Sequence, residues 1–93
     1  MHYKITREPH PENQSLVLLL DGKFDEDAIP ELDQSIAEAR RVHQSIYIDL
    51  SEVTLVDRKA VQYFSEASAT VKLVNCPVYL RRWIKQVCDE TER

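Results

Sequence analysis

One glycine in 93 residues, Gly22, closes off a large part of the fold catalogue at once. Glycine supplies backbone angles that side chains forbid, so a phosphate-cradling GxxxxGKS loop or a GxGxxG dinucleotide turn needs several of them. Nucleotide binding by either route is excluded. The chain length allows one modest core and no more, which predicts a single domain over residues 1–93.

Charge and special residues narrow the function classes. Residues 1–50 carry five Lys/Arg against ten Asp/Glu, and residues 51–93 carry seven against six. This acidic first half supplies no continuous basic stripe to neutralise phosphates, so no nucleic-acid partner is expected. Cys76 and Cys88 form no CxxC pair, and His2, His10 and His43 form no HExxH motif, so neither a metal nor another cofactor is expected. The longest apolar run, Leu16–Leu20, is too short to cross a membrane, and the first ten residues lack the apolar core of a signal peptide. A cytoplasmic protein with free thiols, not inserted in a membrane, is the expectation.

Periodicity then orders the chain. Tyr3–Arg7 and Leu16–Leu20 read as strands joined by the Pro-rich turn Glu8–Ser15, with Asp21-Gly22 ending the second. From Asp25 to Arg41 the residues Ile29, Leu32, Ile36, Ala39 and Val42 recur at helical spacing, and Pro30 sets the helix start near Asp27. Asp25, Glu26 and Asp27 suit the positive end of that helix better than they suit an acid/base pair. Ser45–Leu50 alternates as a strand and is followed by a short loop. Asp57 then caps a second helix whose apolar side is Ala60, Val61, Phe64, Ala67 and Ser68. Val71–Asn75 reads as a fourth strand. Cys76-Pro77 opens a third helix with Leu80, Trp83, Ile84, Val87 and Cys88 on its apolar side.

The order β-β-α-β-α-β-α predicts an α/β fold with a small mixed, mostly parallel four-stranded sheet and three helices. Leu18, Ile48, Phe64 and Ile84 come from different elements, and at least three of them are expected in the core. Right-handed crossovers place the helices on one face of the sheet. The other face then carries Tyr47, Val74 and Lys72, with Val17 and Leu19 or the complementary residues of the second strand. Such a half-apolar face invites a partner or a second copy, making a homodimer one option.

Two stretches, Leu20-Asp-Gly-Lys-Phe-Asp25 and Ile48-Asp-Leu-Ser-Glu-Val-Thr-Leu-Val-Asp57, resemble the LxGxLD and DLSxVxxxD segments of STAS domains. These are the modules of anti-sigma-factor antagonists and of sulfate-transporter tails. The resemblance spans roughly residues 3–90 and implies a non-enzymatic, protein-binding regulatory module of bacterial type, with no catalytic residue. It implies as partner an anti-sigma kinase-like regulator or, alternatively, the ATPase subunit of a transporter complex to which the chain would be a constitutive adaptor. In antagonists the second motif continues Ser-Ser/Thr-Gly, and the second hydroxyl residue is phosphorylated to release the kinase. Here the continuation is Arg58-Lys59-Ala60, which leaves Lys59 at the phosphoacceptor position. Ser51 and Thr54 are the nearby hydroxyls to which a switch would have to move.

The substitution reverses the local charge. A phosphoserine brings about −2 to a helix N-terminus, whereas Arg58 and Lys59 bring two cations. They either serve an acidic partner or stand as solvated side chains, and a third use is a small-ligand or anion sensor at this helix end. By the resemblance, Asp25, Asp57, Arg58 and Lys59 form the partner-binding set. Elsewhere, Cys76 beside a helix start is a candidate reactive thiol or a small buried residue, and no histidine is placed to act as its base. Arg81, Arg82 and Lys85 beside Trp83 read either as a solvated face or as a basic patch.

Overall fold

A computed structural model of the chain describes residues 3–10 and 14–91, with side chains for 3–9 and 14–87. The elements are β1 (Tyr3–His10), β2 (Ser15–Phe24), α1 (Ile29–Arg40), β3 (Ser45–Val56), α2 (Arg58–Ala67), β4 (Lys72–Val74) and α3 (Val78–Thr91). The sheet order is β1-β2-β3-β4, with β1 antiparallel to β2 at one edge and the remaining pairs parallel. This is the expected α/β architecture.

Strand alternation decides which face the helices cover. Leu16, Leu18 and Leu20 of β2 and Ile46, Ile48 and Leu50 of β3 are all buried. The residues between them, Val17, Leu19, Tyr47 and Asp49, are half-buried, as are Val74 and its neighbour Leu73, while Lys72 is exposed. One face is therefore covered and the other open, with Val17 and Leu19 on the open side. Onto the covered face pack Leu32, Ile36 and Ala39 of α1, Ala60, Val61 and Phe64 of α2, and Leu80 and Val87 of α3. Leu18, Ile48 and Phe64 are core residues, whereas Ile84 is only half-buried against them. His2, and the side chains of His10 and Cys88, lie outside what the structure describes.

Several boundaries differ from the sequence expectation, β1 running on to His10 and α3 starting at Val78 among them, and four have a clear local reason. First, β2 does not end at Asp21-Gly22. Gly22 has φ 91°, a conformation open to glycine, and lets the strand continue to Phe24. Second, β3 runs on through the residues expected to form a loop. Between Leu19 and Asp21, and again between Gly22 and Lys23, β3 gains one residue on β2, so its buried positions pass from every second residue to Val53 and Val56. Third, α1 starts at Ile29 rather than near Asp27. The Asp25 carboxylate accepts the Asp27 N–H at 3.0 Å and the Asp25 carbonyl accepts the Ala28 N–H at 3.0 Å, a separate turn ahead of the helix. Fourth, α1 stops at Arg40, so Val42 leaves the apolar stripe and is 75% exposed. The fourth strand is also trimmed to three residues.

Candidate protein-binding site

Asp57 organises the end of the domain to which the parallel strands point. It leaves β3 in extended backbone, φ −106° and ψ 178°, and its Oδ1 accepts the Ala60 N–H at 2.8 Å. This is the expected N-cap. Its other oxygen, Oδ2, accepts the backbone N–H of Glu26 at 3.1 Å. One carboxylate thus ties the first turn of α2 to the loop between β2 and α1, joining segments thirty-one residues apart in sequence. Nothing in the sequence marks the Glu26 amide, because a backbone donor has no residue signature.

The tie assembles charge of both signs. Arg58 and Lys59 are exposed on the first turn of α2. Asp25 is half-buried, with Lys23 Nζ at 4.0 Å, and Glu26 and Asp27 are exposed beside it. Lys59 and Glu26 line one shallow groove of about 330 Å³ together with Pro30 and Tyr63. This groove leads into a second, of about 480 Å³, between α1 and α2. There the Tyr63 hydroxyl donates to Asp33 at 3.0 Å, and the Arg40 guanidinium donates to Thr70. Burial, together with the bond to Asp33, pushes the Tyr63 hydroxyl far above its ordinary value, so it stays a donor at any working pH. The structure thus brings Asp25, Asp57, Arg58 and Lys59 to one end of the sheet and adds a groove that Lys59 alone of the four lines.

An apolar component lies where the sequence pattern predicts a loop. Leu55 in the extended part of β3 is 54% exposed, and Val78 and Tyr79 of α3 are exposed as well. The Tyr79 hydroxyl donates to the Val53 carbonyl at 3.4 Å, which brings the first turn of α3 beside the end of β3.

Asp49 locks the same strand from within. Burial pushes its carboxyl up, but the N–H and hydroxyl of Ser51 and the Asn75 amide outweigh that and hold it below the usual carboxylate range. The Ser51 N–H lies 2.9 Å and the Asn75 Nδ2 3.0 Å from it. Asn75 sits at φ 52°, a conformation that asparagine tolerates well. Ser51 and Thr54 are both exposed.

The remaining candidates separate from this cluster. The first intrahelical bond of α3 runs from Arg81 N–H to the Pro77 carbonyl at 2.9 Å, so Cys76 lies outside the helix start. Burial pushes its thiol above the ordinary value and Arg81 offsets only part of this, the opposite of an activated nucleophile. Arg81, Arg82 and Lys85 are exposed around a half-buried Trp83 that packs on the core. His43 is half-buried at the other end of α1. Among the described residues no group of three or more His, Cys, Asp or Glu side chains is placed to hold a metal ion, and no helix is long and apolar enough to cross a membrane.

Comparison with known proteins places this geometry. No curated protein matches the sequence significantly. The solved structure of the anti-sigma factor antagonist SpoIIAA in its unphosphorylated form is similar in fold, with a TM-score of 0.65 over 92% of this chain and 84% of that one at 16% sequence identity. A family model described as Mlab, STAS domain matches residues 10–90. The mixed sheet, the helices on one face and the sequence match over most of the chain agree, and the chain belongs to the STAS domain family.

Proposed function

We propose that this chain is a non-enzymatic regulatory module that binds a protein partner at the N-terminus of α2, through Asp25, Asp57, Arg58 and Lys59. The observation that carries the reading is the Asp57 carboxylate bridging the α2 cap and the Glu26 amide, which fixes two loops into one surface. Preorganised loops lose little entropy on docking. The exposed Arg58 and Lys59 favour an acidic partner face and steer its approach. Lys59 offers no hydroxyl, so binding here runs without the phosphorylation switch of the family. Ser51 does not replace it, because its N–H and hydroxyl are engaged with Asp49, and a phosphate there would face that carboxylate.

The first reading of the partner is an anti-sigma kinase-like regulator. A second, an ATPase subunit of a transporter complex that holds this chain as a constitutive adaptor, is favoured by Lys59, since a permanent subunit needs no release chemistry. Affinity capture from the native cell with the wild type and with the Arg58→Glu/Lys59→Glu variant tests both. The expected result is one protein retained by the wild type and lost by the variant, and its identity by mass spectrometry separates the two partners. Equal retention by both forms overturns the site. Incubation with a cognate kinase and intact-mass measurement should leave the chain unmodified, and stoichiometric phosphate on Ser51 or Thr54 would show that the switch has moved.

A further inference from the structure

Among the described residues, the outer edge of β1 faces no other strand. The strand is eight residues long, Tyr3–His10, and stands at the end of the sheet order with only β2 beside it. An edge of that length is a template for another chain, and proteins guard such edges with charge and proline. Pro9, which has no N–H to donate, closes one end of the run. The charges, however, are arranged in a self-complementary way. Lys4, Thr6 and Glu8 share the open face of the sheet, since their partners on β2 are Asp21, Leu19 and Val17. Lys4 and Glu8 are exposed, and neither has an ion-pair partner among the described residues. On the covered side, Arg7 is held by Glu38 at 3.4 Å and the Tyr3 hydroxyl by Glu31 at 2.7 Å.

We propose that this edge pairs with the same edge of a second copy of the chain, antiparallel about a two-fold axis at Thr6. Directly opposed residues in an antiparallel pair must share a face, which restricts a two-fold register to one centred on a residue. Centring on Arg7 sets Arg7 against itself, and like charges directly opposed are unfavourable. Centring on Ile5 leaves Lys4 opposite Thr6 and sets Glu8 beyond the Tyr3 end of the second copy's strand. Centring on Thr6 sets Lys4 opposite Glu8 of the second copy twice and Thr6 opposite Thr6, both favourable cross-strand pairs. On the covered side it sets Arg7 opposite Ile5, where the arginine stem covers the part of the half-buried isoleucine that faces outward. The same charges repel strands that do not alternate in this order. The assembly closes as a dimer, because the other edge of the sheet, β4, has three residues. A strand edge of this length buries little area, so the association is weak and its range is micromolar or above.

The test is sedimentation of the full chain over a concentration series, with Lys4→Glu, Glu8→Lys and the double swap. The wild type should show a monomer–dimer equilibrium. Each single reversal should raise the dissociation constant about tenfold or more, because it turns two attractive pairs into repulsive ones. The double swap should restore association, and an equal mixture of the two single variants should associate more tightly than either alone. A wild type that stays monomeric to sub-millimolar concentration overturns the proposal. So does a dimer indifferent to the single reversals, or one that the double swap fails to restore. None of these variants touches Arg58 or Lys59, so the outcome is independent of the partner site at α2.

Discussion

Asp57 does two things with one carboxylate, and the two can be separated by substitution. Asp57→Ala removes the helix cap, which costs about 1–2 kcal/mol, and also strands the Glu26 N–H. Asp57→Asn keeps one carbonyl oxygen for the Ala60 N–H but turns an amide donor toward the Glu26 donor, so it should fall between alanine and the wild type. Urea unfolding of the three forms gives that order, and an Asn variant as stable as the wild type would mean that the Glu26 contact contributes nothing. Asp49 gives a pH-dependent counterpart. Its folded pKa lies below the unfolded one, so its contribution is complete above the unfolded value of about 3.8 and is lost as pH falls through the folded value. Asp49→Asn should therefore cost about 1 kcal/mol at neutral pH, a figure reduced for the partial exposure of the group. The gap to the wild type should narrow below about pH 4. Unfolding curves across that range check it, and a gap that holds constant into acid would place the stabilisation elsewhere.

At the scale of the element, the paired irregularities of β2 and β3 carry the most consequence. Gly22 sits between them at φ 91°, where any Cβ is strained. Gly22→Ala should destabilise the domain by about 1–2 kcal/mol even though alanine stiffens the unfolded chain. Ala at the neighbouring exposed Asp21 should stay within about 0.5 kcal/mol, and equal costs at both positions would remove the backbone explanation. The same irregularities explain where sequence reading stopped. Period-two alternation, and with it the strand, is legible as far as Leu50. Beyond it the extra residues shift the buried set to Val53 and Val56, and a spacing of three no longer looks like a strand. Leu55 is not legible as a surface residue for that reason. The Asp57 cap, by contrast, was legible because capping is a local matter of one side chain and the next turn. The stripe that included Val42 overran because apolar spacing alone does not report where a helix ends.

At the scale of the whole molecule, the candidate site is assembled because the parallel crossovers deliver the β2–α1 loop and the β3–α2 junction to one end of the sheet. The family motifs marked Asp25 and Asp57 as separate points, and Arg58 and Lys59 by contrast with the expected hydroxyl. The Glu26 amide and the Tyr63–Asp33 bond that shape the surface between them are tertiary and have no short-range signature. What keeps those loops in register is the core beneath them, and Phe64 is the test of it. Its ring is 1% exposed on α2, two turns below the Asp57 cap, and meets Tyr63 edge-on at 6.2 Å between centroids. Truncation to alanine leaves a cavity under both α2 and the strands, at a cost of about 3–5 kcal/mol. A domain of this size has about 5–10 kcal/mol in total, so Phe64→Ala should be marginally folded, with a melting temperature lowered by more than about 10 °C. Ile84 faces the same core from α3 but is only half-buried, and Ile84→Ala should cost clearly less. Thermal melts of the two variants side by side decide the matter: equal losses would mean that α3 supports the sheet as much as α2 does, and an unchanged Phe64→Ala would remove Phe64 from the centre of the core.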